Sequence, residues 1–210
     1  MKNLVGCAIA ILASTTLHAA ERPSSFVDVA TIVPGLVVDM RYAGAHNFVG
    51  APVDGYVRPV CLLTRPAAQA LAQVERDLAA SGFGLKTYDC YRPVRAVRDF
   101  MRWARDVRDT RTKAEFYPDI DKRNLFALGY IATQSGHSRG STVDLGLVRL
   151  ADQTEPDTGT PFDTFSPRSW PGDTHVSGEA RRNRALLAAA MRRRGFIAYD
   201  REWWHFTLRG

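Results

Sequence analysis

Two short stretches restrict the fold of this chain more than any other feature. "SGHSRGSTVDLGL", Ser135 to Leu147, carries His137 and then Asp144 at the start of an apolar run. "EWWHF", near the end of the 210-residue chain, carries His205 with Glu202 ahead of it in a Glu-x-x-His arrangement. If the stretches act together, the fold must bring a loop histidine and the starts of two β-like runs to one point. A catalytic zinc usually takes three protein ligands from His, Asp, Glu and Cys and leaves a fourth position for water. His137, Asp144 and His205 make such a set, and Glu202 remains as a base for the water's proton.

The spacing imposes a condition. In one regular strand Glu202 and His205 would face opposite sides. Both can serve one metal only if Glu202 lies in a turn or bulge entering the strand. Glu-x-x-His alone is a weak signal, and the helical His-Glu-x-x-His pattern of zinc proteases is absent. Each residue also has a plainer reading: His137 as a surface loop residue, Asp144 as a turn cap, His205 as a satisfied core histidine beside Trp204 and Phe206. The chain has five histidines, one of them His18 in the N-terminal segment. With so few, their concurrence with Asp144 and Glu202 favours the site.

Residues 1–20, "MKNLVGCAIAILASTTLHAA", read as a secretory signal peptide, with one Lys, an apolar run from Leu4 to Ala13 and small residues at the end. The run is too short to span a bilayer, so no stable membrane span is expected after its removal. Cys7 comes before any apolar stretch could form, which argues against lipidation. Leu17 or His18 falls where a small residue is preferred, so the cleavage point is open. In an oxidising compartment Cys61 and Cys90, the only other cysteines, are expected to form a disulfide between neighbouring strands rather than two buried thiols.

Residues 21–210 read as one catalytic domain, since 45% hydrophobic and 24% charged residues suit a folded core. A net charge of +6 is only mildly basic. Arg181, Arg182, Arg184, Arg192, Arg193 and Arg194 read as the solvated face of a helix with cations in its last turn, and no nucleic-acid partner is expected. Helices are predicted after Pro66 up to Gly82, from Pro93 to Val107, and from a Ser177 cap to Gly195. "GLKTYDCY", "STVDLGLVRL", "FIAYD" and "WWHFTL" are strand-like, and residues 108–134 look irregular. The expected fold class is α+β: a single domain with a small, largely antiparallel sheet flanked by helices.

Ser135 to Asp144 resembles the Ser-x-His-x-x-Gly-x-Ala-x-Asp motif of the zinc D-alanyl-D-alanine dipeptidases of the vancomycin-resistance type. Glu202-Trp203-Trp204-His205 resembles their Glu-x-Trp-His motif. "YDCYRPVRAV" resembles their Asp-x-Tyr-Arg-Pro segment, and "MRYAGAHNFVGAPVDGY" their N-terminal segment. The resemblance runs from about residue 26 to residue 208. It implies one zinc per chain on His137, Asp144 and His205, with Glu202 as general base and acid. It further implies that Arg92 stabilises an oxyanion, that Asp163 in "PFDTF" pairs with the substrate's free amine, that Ser135 lies near the substrate carboxylate and that Tyr42 lines the pocket. Arg92 could instead serve a structural ion pair with Asp89, Asp163 could be an ordinary loop residue, and Tyr42 could be core. Thr142 replaces the motif's usual Ala, Thr158 stands where Met is common, and many cytosolic relatives lack the cysteine pair. The implied protein is an exported, periplasmic zinc enzyme. It would hydrolyse D-Ala-D-Ala or similar small D,D-dipeptides, in cell-wall peptide turnover or D-Ala salvage. The alternatives are a D,D-carboxypeptidase of longer wall peptides and a non-catalytic wall-binding module with a residual zinc site.

Overall fold

The computed structural model describes residues 25–210, so the expected signal peptide lies outside the described residues. In chain order the elements are β1 (Phe26–Asp28), β2 (Val37–Val38), β3 (Leu62–Thr64), α1 (Arg65–Ala79), β4 (Phe83–Asp89), α2 (Val94–Arg105), the single turn α3 (Lys113–Phe116), β5 (Thr142–Arg149), α4 (Gly178–Arg193), β6 (Phe196–Ala198) and β7 (His205–Leu208). A five-stranded sheet runs β2-β4-β5-β7-β6, and β1 and β3 form a separate pair. All pairings are antiparallel except β2 with β4. This is the expected α+β domain with a small, largely antiparallel sheet. No helix among the described residues is long and apolar enough to cross a membrane.

The local reasons are ordinary. Pro66 stands in the first turn of α1, where its missing N–H has no helical partner to lose. Ala67, Ala68, Leu71, Val74 and Leu78 recur every three or four residues and are buried on one face. Gly82 then takes φ +80°, open to glycine without strain. β5 lies between β4 and β7 and is buried from Thr142 to Val148. Ser177 caps α4 by accepting from the Ala180 N–H at 2.9 Å. Residues 108–134, expected to be irregular, hold α3 and a 3-10 turn at Lys122–Asn124.

Arg184 departs from the expected solvated face. It is buried and donates to the carbonyls of Thr158 (2.7 Å), Trp170 (2.9 Å) and Arg168 (2.9 Å). The loop before α4 has carbonyls outside any strand or α-helix, and one guanidinium fork binds three of them. That loop carries Asp163, so Arg184 helps to hold one wall of the site described below.

Cys61 and Cys90 form a disulfide with Cα atoms 5.2 Å apart. The expected neighbouring strands are corrected in one respect. Cys61 precedes β3 of the small pair and Cys90 follows β4 of the large sheet, so the bond joins two sheets. The Tyr91 N–H donates to the Leu62 carbonyl at 2.9 Å and continues the same seam. Replacing both cysteines by Ala is expected to lower unfolding stability by about 3–4 kcal/mol, the loop-closure value for a separation of 29 residues. Denaturant unfolding without reductant measures this; an unchanged midpoint would show that the loop constraint adds nothing.

Candidate metal centre

Strand register brings the first two candidate ligands together. Asp144 on β5 pairs with His205, the first residue of β7, and on its other side with Asp89, the last residue of β4. His137 comes from a 3-10 turn, Gly136–Arg139, just before β5. Ser135 starts that turn by accepting from the His137 N–H at 3.2 Å. Gly140 ends it at φ +80°, where any Cβ would fall 2.2 Å from the Phe26 ring. The turn therefore needs glycine for both conformation and space.

The three residues offer ligand atoms that all lie within 4.8 Å of one another. His137 Nε2 is 3.3 Å from Asp144 Oδ2 and 3.4 Å from His205 Nδ1. His205 Nδ1 is 3.0 Å from Asp144 Oδ1. His137 Nδ1 is 2.8 Å from the Cys90 carbonyl. A carbonyl only accepts, so Nδ1 carries the proton and the Nε2 lone pair faces the cluster.

The donor set fits a metal cation. Asp144 Oδ1 is buried and, despite its closeness to His205, makes no hydrogen bond among the described residues. A buried carboxylate oxygen without a partner is costly unless a cation compensates it. Burial works against charge on Asp144, yet His137 and His205 hold its carboxyl below the usual carboxylate range. Burial likewise works against charge on His205, but Asp144 and then Glu202 push its pKa up to about 10. The cluster thus favours positive charge at its centre, and a metal would compete there with a proton. Two imidazole nitrogens and one carboxylate suit zinc with one position left open.

Glu202 meets the condition set by the sequence. It lies outside β7, in a turn closed by the His205 N–H on the Glu202 carbonyl at 3.3 Å. Its Oε2 is 3.3 Å from His205 Nδ1, beside the cluster but outside the ligand triad.

Arg92 makes the ion pair with Asp89 and lines the same cavity as the triad. Its Nε and one terminal nitrogen lie 2.9 and 2.8 Å from Asp89 Oδ2, and that terminal nitrogen is 3.8 Å from Asp144 Oδ2. The guanidinium also sits over the rings of Phe100 and Tyr42, at 4.9 and 5.3 Å. Burial is the largest single influence and opposes its charge, but Asp89 together with Tyr42, Tyr56 and Asp144 more than offsets it and keeps Arg92 protonated.

Asp163 is buried at φ +63°, a conformation that Asp tolerates better than most residues. Its Oδ2 accepts from the Tyr42 hydroxyl at 2.7 Å. Burial holds its carboxyl well above the usual range, against the Tyr42 hydrogen bond. Tyr42 is core and pocket wall at once: its ring packs on Phe48 and Phe100 while its hydroxyl reaches Asp163.

Asp163, Tyr42, Ser135, Arg92, Glu202 and the triad all line one cavity of about 190 Å³. Sequence reasoning missed Tyr130 and Tyr199, which complete its wall, and Tyr56, whose hydroxyl donates to Asp89 Oδ1 at 2.6 Å. No local pattern distinguishes these tyrosines from core residues. Asp89 was legible only as a partner for Arg92.

The family model described as D-ala-D-ala dipeptidase (Peptidase_M15) matches residues 22–210. A D-alanyl-D-alanine dipeptidase of Enterococcus faecium is 40% identical over 178 residues, covering 85% of this chain and 88% of that protein. One of Streptomyces coelicolor is 40% identical over 185 residues, with 88% and 91% covered. One of Enterococcus faecalis is 38% identical over 185 residues, with 88% and 92% covered.

Proposed function

The chain belongs to the D-Ala-D-Ala dipeptidase family, and on that premise we propose that it is a zinc enzyme, one ion per chain, hydrolysing D-Ala-D-Ala or similar small D,D-dipeptides. One observation carries this reading: His137, Asp144 and His205 line the same small cavity as the buried acid Asp163. A volume of about 190 Å³ is below the roughly 300–1,000 Å³ of pockets for drug-sized ligands and suits a very small peptide. The signal-like residues 1–20 and the cysteine pair support export to the periplasm, with a role in cell-wall peptide turnover or D-Ala salvage.

Zinc on His137 Nε2, Asp144 and His205 Nδ1 would supply Lewis acidity toward a water and an amide carbonyl. The protein's own groups do the rest. The Glu202 carboxylate takes the attacking water's proton and returns it to the departing amine nitrogen. The Arg92 guanidinium, held by Asp89, meets negative charge developing on the carbonyl oxygen. Asp163, steadied by the Tyr42 hydroxyl, pairs with the substrate's ammonium group. That pairing also supplies the cation that lets a buried carboxylate ionise.

The Asp163 clamp separates this reading from a carboxypeptidase acting on longer wall peptides, because an acylated amine carries no charge. D-Alanine release should be rapid from D-Ala-D-Ala and slow from its N-acetyl derivative and from a wall pentapeptide. Equal rates on the pentapeptide would overturn the dipeptidase reading. Asp163→Asn is expected to lower kcat/KM on D-Ala-D-Ala by about 10- to 150-fold, the equivalent of the roughly 1.5–3 kcal/mol of a charge-assisted hydrogen bond, and to narrow the gap to the N-acetyl substrate. The same variant should gain stability. Burial raises the folded-state pKa of Asp163 above its unfolded value, so stability falls as pH rises through the folded value. Asn cannot ionise and tolerates the positive φ, so the variant's Tm advantage over the parent should grow as pH rises above the ordinary carboxylate range. A variant that discriminates amines as the parent does would remove the clamp, and a lower Tm would remove the stability argument.

A further inference from the structure

We infer that the Cys61–Cys90 disulfide positions the metal ligand His137, acting through the main-chain carbonyl of Cys90. This rests on the reading of His137, Asp144 and His205 as a metal centre and adds a device to it.

The contact is direct. The Cys90 carbonyl lies 2.8 Å from His137 Nδ1, and both residues are buried. Asp89 Oδ2 also faces Nδ1, at 3.5 Å, but the carbonyl is the nearer acceptor, so whatever fixes it helps to fix which imidazole nitrogen carries the proton and how the ring is turned toward Asp144 and His205. Partners of this outer kind orient a metal-binding histidine and raise its basicity.

The carbonyl is not held by a strand ladder. β4 ends at Asp89 and α2 begins at Val94, so residues 90–93 cross between them without regular pairing. Two kinds of restraint act instead. The first is a set of hydrogen bonds: the Cys90 N–H to Asp89 Oδ1 at 2.9 Å, the Tyr91 N–H to the Leu62 carbonyl at 2.9 Å, the Arg92 N–H to the His137 carbonyl at a long 3.4 Å, and Ser138 Oγ to the Arg92 carbonyl at 2.9 Å. The second is the disulfide, the one covalent tie from this segment to a distant part of the chain.

The tie ends where it matters for His137. Cys61 leads straight into β3, and its carbonyl accepts from the Val29 N–H at 2.9 Å. At the far end of β3 the Thr64 N–H donates to the Gly140 carbonyl at 2.8 Å, and Thr64 Oγ1 lies 2.8 Å from Ser141 Oγ. β3 is therefore a splint for both members of the pair. Through the disulfide it holds Cys90, which accepts; through Thr64 it holds the turn that carries His137, which donates. Without the sulfur bond the turn stays anchored, while the Cys90 segment keeps only the Tyr91–Leu62 hydrogen bond to the same strand and loses its covalent tie. The expected consequence is a looser His137 and weaker metal binding, separate from any loss of global stability.

The test measures zinc affinity by competition with a chromophoric chelator. The proteins are the parent, Cys61→Ala/Cys90→Ala, and Leu78→Ala as a control that weakens the core in α1 away from the centre. All are compared at a temperature where circular dichroism shows each folded. The double variant is expected to bind zinc about 10- to 100-fold more weakly, the range for lost outer partners of a metal ligand, with an altered cobalt absorption spectrum; Leu78→Ala should match the parent. A folded double variant that binds zinc as tightly as the parent would overturn the inference, as would an equal loss in Leu78→Ala. If the parent itself binds zinc no better than His137→Ala, the metal-centre reading fails instead. Should the double variant not fold, Cys61→Val/Cys90→Ala refills part of the space. Nitrogen NMR of the zinc-loaded parent with labelled histidine then gives an independent answer. Zinc on His137 Nε2 with a hydrogen-bonded Nδ1–H supports the inference, and zinc on Nδ1 overturns it.

Discussion

Glu202→Gln is expected to keep zinc at parental affinity and to lower kcat on D-Ala-D-Ala by about 10²–10⁴-fold, the usual contribution of general acid–base catalysis. Glutamine preserves the length and shape of the side chain but cannot take a proton at working pH. The backbone should not respond, because the turn entering β7 is closed by the Glu202 carbonyl rather than its carboxylate. Zinc should not leave, because Glu202 lies beside the triad and not within it. Asp144→Asn provides the contrast. It removes the carboxylate that faces both histidines, so it should lose the metal along with activity. Metal analysis together with kcat on the zinc-loaded variants separates the two roles. Zinc loss in Glu202→Gln would make Glu202 a ligand, and near-normal turnover in its loaded form would place the base elsewhere.

Much of the site was legible because its chemistry sits in distinctive residues. Few side chains bind a metal, and a chain poor in histidine gives each one weight. The Glu202–His205 spacing even stated its own requirement, a turn at the mouth of a strand, and the chain has that turn. The partners of β5 were not legible. An apolar run such as Val143, Leu145 and Leu147 announces a buried strand but not its neighbours. The register that sets Asp144 between Asp89 and His205 comes from pairing across the sheet. Main-chain groups leave no mark in a sequence at all, so the Cys90 carbonyl behind His137 could not be foreseen. Arg184 shows the opposite failure. On a helix rich in arginine it reads as solvent-facing, and only the fold of the preceding loop reveals three carbonyls within reach of its fork.

Arg92→Ala is expected to fail in two ways that can be measured apart. Asp89 is completely buried, and Arg92 is the cation against it. The Tyr56 hydroxyl and the Cys90 N–H would remain on Asp89 Oδ1, but Oδ2 would lose its charged partner. Breaking a buried pair from one side costs about 3–5 kcal/mol, so the variant should unfold at much lower denaturant. Turnover of the folded fraction should also fall by about 10²–10³-fold, as when one oxyanion donor is removed. Arg92→Lys separates the two effects. Its ammonium keeps a positive charge beside Asp89, so much of the stability should return. A single point of charge cannot reproduce a planar fork that grips Asp89 and, in the proposed mechanism, also meets the reacting carbonyl, so kcat should stay low. Asp89→Asn combined with Arg92→Met approaches from the other side. It leaves no buried charge to compensate, so it should fold better than Arg92→Ala and turn over no faster. If Arg92→Lys regained both stability and turnover, a positive charge beside Asp89 would be all that the site requires. Arg92 would then be a structural partner of Asp89, and the oxyanion would have to be met by another group.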